Sequence, residues 1–182
     1  MDMHSNHFFA IKFPTQINSK IDEKAMELKK EHSFNKWLHP DDYHITLAFL
    51  GKIEENKLSR ALESIKHICS EQTPFGIELS GIGTFGRESS PRILWAGVVL
   101  EPELAALQAK IYKACSGAGF ELDKKPFKPH ITIARKFIGT EFNKSSLGSF
   151  HSHFEADGVV LYKTNMGQSP SYETVEEFPF GS

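Results

Sequence analysis

His44-Ile45-Thr46-Leu47-Ala48-Phe49 and His130-Ile131-Thr132-Ile133-Ala134-Arg135 are one strand pattern met twice, 86 residues apart. Superposed at that spacing without gaps, positions 8–50 and 94–136 share eight of 43 residues. Average residue usage would give about two or three by chance. Outside the quoted strands the identities are Ala10/Ala96, Lys24/Lys110, Phe34/Phe120 and Pro40/Pro126, and the apolar set Ile21, Ala25, Leu28 falls on Leu107, Ile111, Ala114. A preserved register across a helix and two strands predicts a structural duplication.

Each half reads strand–helix–strand. Phe8–Phe13, helix Ile17–Glu31 and Tyr43–Leu50 form the first. Arg92–Leu100, helix Pro102–Ser116 and His130–Lys136 form the second. The helices carry apolar residues at a 3.6-residue period, and Pro102 suits a first helical turn. A third amphipathic helix is predicted near Glu54–Cys69, and strands near Phe75–Leu79, Gly158–Lys163 and Tyr172–Phe178. Gly81–Pro91, rich in Gly and Ser, reads as a long surface loop. The expectation is an α+β fold in a single bilobal domain over residues 1–182. Two pseudo-twofold-related lobes, each a small, mostly antiparallel sheet with helices on its outer face, would flank a central cleft.

Composition narrows the function. The 182 residues carry 21 Lys+Arg against 23 Asp+Glu, a net charge of −2, which argues against coating nucleic acid by bulk charge. Two cysteines, Cys69 and Cys115, build neither a disulfide framework nor a zinc pattern and read as buried thiols on helices. The longest apolar run near the N-terminus, Phe8–Ile11, is too short for a signal segment or a membrane span, so the default expectation is cytoplasmic.

The duplicated motif carries the chemistry. Residues two apart on a strand share a face, so His44 and Thr46, and His130 and Thr132, line the cleft while Ile45 and Ile131 enter the core. Two imidazoles and two hydroxyls converging on one volume suit a phosphodiester. One histidine activates water, the other protonates the leaving oxygen, and hydroxyls hold the non-bridging oxygens. Imidazole is the side chain whose ordinary pKa lets one copy be neutral and the other charged near pH 7. The scheme requires no metal, cofactor or covalent nucleophile.

These residues resemble the two-histidine (2H) phosphoesterase superfamily, in particular its RNA 2′,3′-cyclic phosphodiesterase branch (2′-5′ RNA ligase, or LigT-like). The matching text is FFAIKFP near the start, HITLAFLG at 44–51, FGIELSGIGTFG at 75–86, RILWAGV at 92–98, KPFKPHITIAR at 125–135 and the tail GVVLYKTNMGQSPSYETVEEFPF. Thr164 stands in that tail where members often have Ser. The resemblance implies hydrolysis of a terminal RNA 2′,3′-cyclic phosphate to a 2′-phosphomonoester without metal, with reverse 2′-5′ joining in some members. It further implies His44 as proton donor to O3′, His130 as proton acceptor, Thr46 and Thr132 as phosphate-binding, Arg135 as a phosphate contact and Phe49 as a base-stacking ring. Strict alternation turns Phe49 and Arg135 away from the cleft, and only a bulge or strand end would re-aim them. Partners implied are RNA ends, including those of tRNA fragments, or a small cyclic nucleotide such as an ADP-ribose cyclic phosphate. A non-catalytic RNA-end binding module is the alternative of a different class. A monomer with no obligate protein partner and no membrane attachment is expected.

Lys124, Lys125, Lys128, Arg135 and Lys136 read as a landing strip for RNA phosphates or as a solvated strand edge. His39, Asp41, Asp42 and His44 match no metal spacing. His151-x-His153 reads as exposed loop or strand, His4 and His7 as an N-terminal arm, and Trp95 as core.

Overall fold

A computed structural model describes residues 4–181. Its strands are β1 (His7–Lys12), β2 (Phe34–Trp37), β3 (His44–Gly51), β4 (Phe75–Arg87), β5 (Ser90–Val98), β6 (His130–Phe137), β7 (His151–Ala156), β8 (Gly158–Thr164) and β9 (Tyr172–Pro179). The helices are α1 (Thr15–Lys29), α2 (Glu55–Glu71) and α3 (Pro102–Gly117). A four-stranded sheet runs β3-β1-β8-β9 and a five-stranded sheet β2-β6-β5-β4-β7. Every neighbouring pair is antiparallel.

The helices form where the apolar period falls. Ile17, Ile21, Ala25 and Leu28 are the buried apolar stripe of α1, Leu58, Ala61, Ile65 and Cys69 that of α2, and Leu104, Leu107, Ile111 and Cys115 that of α3. Each fully buried aliphatic contributes about 1.5–3 kcal/mol. The two halves are interlocked. The helix that follows β1 packs on β7 of the other sheet, and the helix that follows β5 packs on β3. Strand β2 likewise leaves its own half to pair with β6. One core therefore takes residues from both sheets and all three helices.

Register shows how the halves correspond. Ala10 faces Thr46 and Phe9 faces Ala48 in one sheet, as Trp95 faces Thr132 and Leu94 faces Ala134 in the other. The motif strands therefore match at 86 residues but their partners at 85, so Ala10 corresponds to Trp95 and not to the identical Ala96. At the same step both motif strands gain a residue: Leu47 in β3 and Ile133 in β6 stand between consecutive partners on the neighbouring strand. Such a bulge resets the alternation of faces. Leu47 and Ala48 are both buried, as are Ile133 and Ala134.

Several expectations are corrected. Gly81–Pro91 is not a loop but the end of β4, a two-residue turn and the start of β5. Its glycine content reflects close packing. A Cβ on Gly83 would lie 2.3 Å from the Trp95 ring, and one on Gly97 would lie 2.1 Å from the Ser80 carbonyl oxygen. Strand β2 has no counterpart in the sequence reading. His7 is a buried residue of β1, not part of an arm. Cys69 and Cys115 are free and buried, and burial pushes both thiols up to about 12. No helix among the described residues is long and apolar enough to cross a membrane.

Candidate active site

The two histidines begin their strands and are aimed by one local device. His44 Nδ1–H donates to the Asp42 carbonyl at 2.7 Å, and His130 Nδ1–H donates to the Lys128 carbonyl at 2.8 Å. A carbonyl can only accept, so the proton sits on Nδ1 in each ring and leaves Nε2 free for chemistry. Thr46 Oγ1 lies 2.9 Å from His44 Nε2 and donates to it when the ring is neutral. Strands β3 and β6 approach each other across the two sheets, with Cα atoms within 8 Å.

The surroundings differ. His44 is buried. Its ring centre lies 4.9 Å from Phe8, 5.1 Å from Tyr172 and 5.9 Å from Tyr162. Burial lowers its pKa to about 4, the bond to Asp42 partly opposes this, and the positive charges of Arg135 and His130 lower it further. His130 is half-buried, with Phe85 edge-on at 4.9 Å. Its pKa is also lowered, by burial first and by Arg135 second, against the bond to Lys128. His44 thus feels the charge of His130, and the charge of Arg135 reaches both rings.

The bulges settle where the last motif residues point. Phe49 is 53% exposed and stacks beside Phe8, at 6.4 Å, on the histidine side of its sheet. Arg135, at the matching place on β6, acts on both imidazoles. Strict alternation would have turned both away. Thr132 faces Trp95 across the β5–β6 pair. Trp95, expected in the core, is half-buried, with its ring 5.5 Å from Phe85, the ring that also meets His130.

From Thr46 and His130 a groove of about 1250 Å³ runs along the outer edge of β3. Its far wall is built from α3 and residues 121–128.

Residues outside the motif complete the site. The buried Asp42 carboxylate accepts from the backbone N–H of Ser171 at 2.8 Å and of Tyr172 at 3.0 Å, while its own carbonyl holds His44. It ties the start of β9, and the Tyr172 ring, to the first histidine. The acidic pair before His44 was the available signal, but its partners lie 129 and 130 residues away. His39, expected to do nothing as a ligand, accepts from Asp41 N–H and caps the turn over Pro40–Asp42. His151 and His153 lie on the exposed face of edge strand β7, opposite Ser80 and Glu78. Among the described residues no group of three or more His, Cys, Asp or Glu is placed to hold a metal ion.

The chain is similar to proteins of one family. The family described as the 2′-5′ RNA ligase superfamily matches residues 16–167. The RNA 2′,3′-cyclic phosphodiesterase of Geobacillus stearothermophilus is 39% identical over 179 residues, covering 96% of this chain, which spans 57% of that relative's length. The RNA 2′,3′-cyclic phosphodiesterase of Bacillus subtilis (strain 168) is 34% identical over 188 residues, with 97% of each chain covered. The crystal structure of TT0787 of Thermus thermophilus superposes with a TM-score of 0.82 at 25% identity, covering 97% of this chain and 98% of that one.

Proposed function

Because the chain belongs to the 2′-5′ RNA ligase superfamily, we propose that it is an RNA 2′,3′-cyclic phosphodiesterase that opens the cyclic end to a 2′-phosphate by paired-histidine acid–base catalysis. The observation that carries this is the matched pair of imidazoles. Each holds its proton on Nδ1, each keeps Nε2 for chemistry, and the charge of Arg135 acts on both.

In this reading the cyclic phosphate lies between the rings, held by Thr46, Thr132 and Arg135. His130 Nε2 takes a proton from water as its oxygen bonds to phosphorus. The P–O3′ bond breaks, and O3′ takes the proton of His44 Nε2. The rings finish with exchanged protonation and reset through solvent. Placement supports this division of labour. Phe49 shares β3 with His44, so a nucleoside stacked on Phe49 brings O3′ to His44. His130 lines the open groove, where water arrives. His44 is neutral in the free site; the negative charge of a bound phosphate offsets Arg135 and favours its protonation, so binding takes up a proton. An RNA 5′-hydroxyl in place of water would give a 2′-5′ bond by the same transfers, but water outcompetes it in a wet groove. The buried thiols suit a reducing compartment, and we place the enzyme in the cytoplasm, acting as a monomer on RNA ends such as those of tRNA fragments.

The test incubates the purified chain, with chelator, on an oligoribonucleotide ending in a 2′,3′-cyclic phosphate. A 2′-phosphate product is expected. Because burial holds both imidazoles below their ordinary 6.5, His44 at about 4, kcat/KM should peak on the acid side of pH 6.5. A product carrying only 3′-phosphate, or strict dependence on a divalent ion, would overturn the scheme.

A further inference from the structure

The groove beside β3 exists because a strand is missing. In the first half, β2 follows α1 and crosses to seal the outer edge of β6. Its counterpart after α3, residues 120–123 at the same spacing, joins no sheet, and Glu121, Leu122 and Asp123 line the groove together with β3. The bulge carbonyls show the substitution. Ile133 O accepts from the Leu38 backbone N–H at 2.9 Å, whereas the matching Leu47 O accepts from the Gln108 side chain at 3.2 Å. A side chain reaching out from α3 does what a strand does in the other half, and the space left between is the groove.

Resting on the function proposed above, we propose that this groove holds the single-stranded RNA that precedes the cyclic end, so that the enzyme recognises oligonucleotide ends over free cyclic nucleotides. Three features point to that occupant. The groove starts at Thr46 and His130, and a cyclic phosphate at a 3′ end has its chain only on the 5′ side. The edge of β6 is closed by β2, so the chain leaves along β3. Second, the walls carry rings from three segments: Phe49 on β3, Tyr112 on α3 and Phe127 just before β6. Such rings stack bases with little regard to sequence. Third, the rim carries Arg92, Lys124 and Lys125 against Glu121 and Asp123, with Lys128 toward the histidine end, a basic excess in a chain of net charge −2. The volume, about 1250 Å³, exceeds the roughly 300–1,000 Å³ usual for a small-molecule site and has room for more than one nucleotide.

The experiment compares adenosine 2′,3′-cyclic phosphate with oligoadenylates of two to five residues ending in the same group. Expected is a kcat/KM at least about tenfold higher for the trimer than for the monomer, as one stacked base would give. The gain should shrink as KCl is raised, because phosphates are being neutralised. Tyr112→Ala, and separately the surface pair Lys124→Glu with Lys125→Glu, should remove most of that gain while monomer turnover stays within about twofold of the parent. The charge-reversed pair is exposed and guards against a folding defect in Tyr112→Ala. Monomer turnover with no gain on lengthening, or variants that lower monomer and oligomer equally, would overturn this inference and leave the proposed function standing. Absence of turnover on every length would overturn the function itself.

Discussion

Strands β3 and β6 share a motif, a carbonyl anchor and a bulge, yet they present their histidines to different media. His44 sits behind Phe8, Tyr162 and Tyr172, whereas His130 has Phe85 on one side and the groove on the other. The backbone is symmetric and the environment is not. A duplicated strand supplies two interchangeable imidazoles, and their neighbours make one a dry, deprotonated ring and the other a wetter one. The same holds for the edges: β2 closes β6, while β3 keeps an open side and a single Gln108 bond. Chemical asymmetry is thus written in residues outside the repeat.

The largest effect that could break this comparison is on turnover. Replacing His44 or His130 by Ala should lower kcat by about 10²–10⁴-fold each, the usual worth of one proton transfer. A cyclic substrate with sulfur in place of O3′ has a leaving group that needs no acid. It should restore much of the activity of His44→Ala and none of that of His130→Ala. Rescue of the second variant instead would exchange the roles. Equal activity of both variants and the parent on the oxygen substrate would remove the paired-histidine scheme altogether.

The second effect is on stability. The folded pKa of His44, about 4, lies below its ordinary 6.5. Between those values the unfolded chain binds a proton that the folded site refuses, so stability is full above pH 6.5 and is lost as pH falls toward 4. The shift corresponds to something on the order of 3 kcal/mol. Urea denaturation at pH 7 and pH 4.5 should show a smaller pH-dependent loss in His44→Asn than in the parent. His130→Asn, at the less buried site, should track the parent more closely. Identical pH dependence of both variants would mean that the two rings feel the same medium.

What the sequence disclosed follows the range of the forces involved. The helices and motif strands were legible because their periods are local, and the pairing of His with Thr at i+2 needs no tertiary knowledge. The bulges left a trace that strict alternation overrode: Leu47-Ala48 and Ile133-Ala134 place two apolar residues in succession at the same point of both strands. Strand β2 was invisible because Phe-Asn-Lys-Trp is four residues long and its partner β6 lies about a hundred residues on. Gly83 and Gly97 read as loop punctuation when their task is to let Trp95 and the Ser80 carbonyl come close. Asp42 drew notice as an acid beside a histidine, but its part is set by Ser171 and Tyr172 at the other end of the chain. The one-residue slip between Ala10 and Trp95 is likewise a fact of strand pairing alone.

The smallest effect concerns the two bulge carbonyls. Gln108→Leu keeps the bulk of the side chain on α3 but removes the donor to Leu47 O. Because that carbonyl faces the groove, water can take the place of the amide, and the net loss should be about 0.5–1.5 kcal/mol, the ordinary value of one exchanged hydrogen bond. Urea midpoints at constant m-value measure it. A loss well above that range would mean the β3 edge is sealed from solvent, as β6 is beneath Leu38 and Trp37, and the open groove would have to be abandoned. A small loss confirms that one edge of the duplicated strand faces water, which is what leaves room beside it for a second chain.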